Sequence, residues 1–126
     1  MTLQKRILIV DDEEALLLAF KKLLKRPNVD IDTCECKEDA LNQISNFTYD
    51  IIIVDLRLSG TLEQEGFEII KFAKSKSTTT KVVLITAYGN YEIREKALEC
   101  GADYYFEKPV SIKNLYEIID SDLLVK

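Results

Sequence analysis

Five short apolar runs, each followed by a segment with helical spacing, constrain this chain of 126 residues more than any other feature. Arg6 to Val10 (RILIV) is a continuous β-branched run, the pattern of a strand buried on both faces by helices. Leu16, Leu17, Phe20, Leu23 and Leu24 then recur at helical spacing, and Pro27-Asn28 stops that helix. A second strand is expected over Ile31 to Cys36, followed by a short helix marked by Ala40, Leu41 and Ile44 that gives way at Asn46. The cycle repeats with Asp50 to Val54 (DIIIV) before the stripe Phe67, Ile70 and Ala73, and with Lys81 to Ile85 (KVVLI) before Ile93, Ala97 and Leu98. Gly101 terminates the fourth helix and Tyr104 to Phe106 makes a fifth strand. Ser111 is placed to cap a last helix whose stripe is Leu115, Ile118, Ile119 and Leu123.

Parallel neighbours need crossover connections, so strictly alternating strands and helices predict an α/β fold, a doubly wound and mostly parallel sheet with helices on both faces. Sandwiches and helical bundles are excluded. No linker, repeat or low-complexity stretch interrupts the pattern, and a single domain over residues 1–126 is expected, with no effector domain in this chain. Hydrophobic residues at 47% and charged residues at 31% fit an ordinary globular protein. The net charge of −5, with no basic stripe, argues against direct binding to nucleic acid. No apolar run approaches the roughly 20 residues needed to cross a bilayer, so a cytoplasmic protein without membrane contact is expected. Histidine is absent and the three cysteines are an odd number, which supports neither a zinc site nor a disulfide framework. Cys34 and Cys36 are expected as reduced core thiols on one face of the second strand.

Ligands of open α/β sheets bind beyond the carboxyl ends of the strands. In this chain those ends carry Asp11 and Asp12 after strand one, Asp55 after strand three, Thr86 and Ala87 after strand four, and Lys108 after strand five. Any one acidic residue there would pass for a helix cap or a solvated rim. Three carboxylates converging on one edge repel one another unless a cation neutralises them. A hard divalent ion such as Mg²⁺ takes oxygen ligands and keeps waters, so one or two carboxylates can hold it while it also meets a phosphate. Asp55 is then a candidate nucleophile toward a phosphoryl group, with Lys108 absorbing developing charge.

The segments ILIVDDEE, IIIVDLRL, VVLITAYG and GADYYFEKPV, in this order and at four strand ends, resemble the receiver domain of bacterial two-component response regulators over essentially the whole chain. The resemblance implies a flavodoxin-like five-stranded sheet of order 2-1-3-4-5. It implies that Asp12, Asp55 and the backbone carbonyl of Arg57 bind Mg²⁺ directly, with Asp11 acting mainly through a water. Asp55 would accept a phosphoryl group from a histidine kinase or phosphotransfer protein, Thr86 and the Ala87 N–H would bond the phosphoryl oxygens, and Lys108 would form an ion pair. Tyr105 matches the aromatic switch position, and Lys108-Pro109 matches a cis peptide. The implied function is a phosphorylation-activated signalling switch in a phosphorelay. It would catalyse its own Mg²⁺-dependent phosphorylation and dephosphorylation without being a conventional enzyme. The altered surface would be the face of the fourth helix, fifth strand and fifth helix, with homodimerisation on phosphorylation among the expected consequences. TAYG is similar to receivers of the nitrogen-regulation type.

The chain departs from the family pattern in one loop and one side chain. Ser59 stands where relatives usually have proline, and Gly66 lies further from Asp55 than usual, so the loop Ser59 to Glu65 (SGTLEQE) is longer. Arg57 replaces the smaller residue many relatives carry. A dehalogenase-like phosphatase would also use an aspartyl phosphate, but it needs an acid where this chain has Arg57. A flavodoxin-like electron carrier would need a phosphate loop after strand one, where Asp11 to Glu14 repel phosphate. The remaining alternative is a receiver-shaped docking module that is not phosphorylated, against which every acidic, hydroxyl and lysine position is filled.

Overall fold

The computed structural model describes residues 4–55, 64–87 and 89–121. In chain order the elements are β1 (Lys5–Val10), α1 (Glu14–Leu23), β2 (Val29–Cys34), α2 (Lys37–Asn46), β3 (Ile51–Asp55), α3 (Gln64–Lys76), β4 (Lys81–Thr86), α4 (Tyr91–Cys100), β5 (Tyr104–Glu107) and α5 (Ile112–Ile119). All four strand pairings are parallel and the sheet order is β2-β1-β3-β4-β5, the doubly wound arrangement expected from the alternation.

Side chains alternate across each strand, and both faces are apolar because both are covered. Leu8, Val10, Ile52, Val54, Val82 and Leu84 pack with Phe67, Ile70 and Ala97 on the face of α2, α3 and α4. Ile7, Ile9, Ile51, Ile53, Val83 and Ile85 pack with Leu17, Phe20, Leu115 and Ile119 on the face of α1 and α5. Central β3 is buried along its whole length. Its register sets the site: Val10 lies beside Val54, and Asp55 beside Ile85, so β1, β3 and β4 run out together at one edge.

Local chemistry ends the helices. Lys21 and Lys22 in the last turn of α1 complement its dipole. Asn90 caps α4 by accepting the Ile93 N–H at 2.8 Å, and Gly101, at φ 115°, closes it in a left-handed conformation that a side chain would resist. Helix α1 ends at Leu23, earlier than Pro27 alone would require. Ser111 takes the N-cap position of α5 without a side-chain cap hydrogen bond. Leu123 lies outside the described residues.

One expectation is corrected. β2 ends at Cys34, because β1 stops pairing there and the Asp11 N–H bonds to the Cys34 carbonyl at 3.0 Å as the chain leaves the sheet. Cys36 is instead the N-cap residue of α2, so the two thiols do not share a strand face. Cys34 alone is fully buried, and burial first, then the Asp39 carboxylate, pushes its thiol up to about 12.

Candidate functional site

Asp11 and Asp12 follow the last residue of β1, and Asp55 is the last residue of β3, so the sheet register delivers all three to one edge. Each offers a carboxylate oxygen, and these oxygens lie within 4.8 Å of one another. Asp11 is 3% and Asp55 7% exposed, so these two carboxylates are largely desolvated. Asp11 is fixed by its own turn, its Oδ1 accepting the Glu13 N–H at 3.0 Å.

Lys108 enters from the end of β5. Its backbone N–H donates to the Thr86 carbonyl at 2.7 Å, which ties the end of β5 to the end of β4. Its Nζ donates to Asp55 Oδ2 at 2.9 Å and lies 3.6 Å from Asp11 Oδ2. Burial pulls the ammonium down, but the hydrogen bond and charge of Asp55, with Asp11 and Glu13 behind it, raise it above its ordinary value. Thr86 is fully buried at the end of β4, beside Glu107 of β5.

Among the described residues, three carboxylates and the Lys108 ammonium share the pocket. Burial raises the Asp11 carboxyl to about 6, and the Asp55 charge adds to the rise. The Glu13 N–H and Lys108 only partly oppose it. A cluster of carboxylate oxygens within 4.8 Å of one another suits a hard divalent cation such as Mg²⁺. Asp11, Asp12 and Asp55 are the described residues able to hold one.

The structure thus brings together Asp11, Asp12, Asp55 and Lys108, with Thr86 at the adjoining strand end. Arg57, Tyr88 and the loop from Ser59 through Glu63 lie outside the described residues. Tyr105 is half-buried on β5, packed against the core face of α2, α3 and α4. Lys108-Pro109 is a cis peptide. Sequence reasoning missed Glu13, whose N–H fixes Asp11 and whose Oε1 is 3.8 Å from Lys108 Nζ. The signal was present in the acidic run Asp11 to Glu14, but only the turn shows which acid points inward.

Comparison with known proteins agrees with the fold. The response regulator receiver domain family matches residues 7–120. The transcriptional regulatory protein ResD of Bacillus subtilis is 33% identical over 110 residues, which is 87% of this chain and 44% of ResD. The regulatory protein AtoC of Escherichia coli is 31% identical over 123 residues, 98% of this chain and 26% of AtoC. The chain therefore spans less than half the length of these relatives. Among solved structures, a CheY-like receiver domain from Methanospirillum hungatei superposes with TM-score 0.85 at 30% identity, covering 95% of this chain and 94% of that one. The beryllofluoride-activated NtrC4 receiver domain dimer gives 0.83 at 27% identity, covering 96% and 98%. No helix among the described residues is long and apolar enough to cross a membrane. With the family match spanning residues 7–120, this protein belongs to the response regulator receiver domain family.

Proposed function

We propose that this domain is a signalling switch in which Asp55 accepts a phosphoryl group, with Mg²⁺ bound by Asp11, Asp12 and Asp55, from a histidine kinase or phosphotransfer protein. The observation that carries the reading is the Lys108 ammonium at 2.9 Å from Asp55 Oδ2, beside the clustered carboxylate oxygens of Asp11, Asp12 and Asp55.

A bound divalent ion supplies charge neutralisation for the incoming phosphoryl oxygens. The chain's own residues do the rest. An Asp55 oxygen attacks phosphorus, the bond to the donor breaks, and an acyl phosphate remains on Asp55. Lys108, held by Thr86 through the backbone, is already positioned at Asp55 and offers its ammonium to the oxygens that gain charge. Burial of Asp55 and Thr86 limits the water able to attack the product.

Output follows from Thr86 and Tyr105, which stand on adjacent strands, Leu84 being paired with Tyr105 two residues before Thr86. Movement of Thr86 toward the phosphoryl group opens space for Tyr105 and changes the face of α4, β5 and α5. This is a population shift between two arrangements of one fold. Tyr91, 74% exposed, and Leu98 leave apolar surface on α4 for a partner or a second copy. The NtrC4 neighbour, described as an activated dimer, supports the second copy.

Intact mass after incubation with Mg²⁺ and a small phosphodonor tests the proposal. Gain of one phosphoryl group, lost on omission of Mg²⁺ and in Asp55→Asn, is expected. Undiminished labelling of Asp55→Asn rejects Asp55 as the acceptor.

A further inference from the structure

Tyr105 and Gly89 are fitted to each other. The ring of Tyr105 lies against the core, and its hydroxyl is buried, with the Asn90 backbone N–H approaching it without completing a hydrogen bond of good geometry. A Cβ placed on Gly89 would collide with that hydroxyl oxygen, and would lie 2.8 Å from Cγ and Oε2 of Glu107. The backbone of Gly89 does not impose this choice: among the described glycines only Gly101 has a positive φ. Alanine at position 89 is therefore opposed by its neighbours alone. Of these, Glu107 is an exposed, flexible side chain that can swing aside. The Tyr105 hydroxyl sits at the end of a rigid ring, which must leave as a unit.

We propose that Gly89 keeps open the place occupied by the Tyr105 hydroxyl, and so sets the balance between an inward and an outward tyrosine. Gly89 lies three residues beyond Thr86 in the segment joining β4 to α4, so the position of that segment sets the room left for the ring. The incompletely bonded hydroxyl makes the inward pose easy to give up, because leaving it for water restores a full hydrogen-bond complement. A consequence for readiness of Asp55 rests on the functional reading given above; the fit of Gly89 to Tyr105 does not.

The test is a double-mutant cycle on the full chain with Gly89→Ala, Tyr105→Phe and both, read by denaturant unfolding and by ¹⁹F spectra of 3-fluorotyrosine-labelled protein. The Tyr105 resonance is assigned by its loss in Tyr105→Phe. Without any phosphodonor, Gly89→Ala is expected to move that resonance toward the position of solvent-exposed tyrosine. Gly89→Ala should also raise the unfolding equilibrium constant by a factor about fivefold larger in the wild-type background than in Tyr105→Phe. Equal cost in both backgrounds with an unmoved resonance overturns the inference. Should Gly89→Ala alone fail to fold, the double variant must fold; if it also fails, the penalty at position 89 is not the Tyr105 hydroxyl and the inference falls. Labelling by a phosphodonor with Mg²⁺ is expected to be several-fold slower in Gly89→Ala than in wild type, because an outward tyrosine opposes the arrangement that phosphorylation favours. A wild type that never labels sinks the functional reading and leaves the cycle intact, whereas a labelled wild type with an additive cycle sinks only the role of Gly89 in placing Tyr105.

Discussion

The ammonium of Lys108 reaches Asp55 Oδ2 at 2.9 Å, and the same nitrogen stands 3.6 Å from Asp11 Oδ2, so one cation bridges carboxylates from neighbouring strands. Under the proposed function Lys108 would have two separable roles: competing with a divalent ion for the pocket, and meeting the charge that builds on a phosphoryl group. Lys108→Met is expected to tighten Mg²⁺ binding several-fold at low ionic strength while slowing Asp55 labelling by roughly 100-fold. Titration calorimetry and single-turnover labelling read the two effects. If both quantities fall together, Lys108 does not compete with the ion.

Mg²⁺ should stabilise the folded domain by binding it in preference to the unfolded chain, by about 2.7 kcal/mol at 100 times the dissociation constant. Asp12→Ala is expected to remove most of that gain, since Asp12 supplies one of the three clustered oxygens. Thermal unfolding across a Mg²⁺ series checks this. Parallel curves for wild type and variant would remove Asp12 from the ligand set.

The crowding of buried Asp11 against Asp55 makes a stabilising substitution available. Asp11→Asn keeps an oxygen to accept the Glu13 N–H yet deletes one of the crowded charges. In chelator at pH 8 the variant should be more stable than wild type by roughly 1–2 kcal/mol, and saturating Mg²⁺ should shrink or reverse that advantage. Denaturant midpoints in the two buffers give the comparison, and a variant less stable in both would contradict the repulsion.

Cys34 supplies a pH dependence away from the site. Its thiol is raised from 9.0 to about 12 in the folded protein, so the folded state retains a proton that the unfolded chain releases. This contribution is present in full below pH 9 and is lost as pH rises toward 12. At pH 8 the folded protein should alkylate at Cys36 and Cys100, both partly exposed, before Cys34. Peptide mapping with and without denaturant is the measurement. Early modification of Cys34 in the native protein would show that burial does not protect it.

Phosphorylation should perturb backbone NMR shifts beyond the pocket, along α4, β5 and α5. The expected pattern has Tyr91, Leu98 and Tyr105 moving together with Thr86, as in a two-state exchange. Changes confined to residues around Asp55 would mean that the signal does not leave the site.

The order of elements and the edge at which the chemistry gathers were legible in the sequence. Runs such as RILIV and DIIIV can be buried only as strands covered on both sides, and strict alternation with helices leaves a parallel sheet whose carboxyl ends share an edge. Asp11, Asp12, Asp55, Thr86 and Lys108 could therefore be named from position alone. Contacts that depend on how elements stop and turn were not legible. β2 ends at Cys34 because its partner strand stops pairing, which detached Cys36 from the sheet face. Glu13 faces Lys108 because of a tight turn on Asp11, and Gly89 matters because a tyrosine from the neighbouring strand fills the space its missing side chain leaves. Periodicity records which way a residue faces along its own element. Distances between side chains on different elements are set by packing, which only the tertiary structure decides.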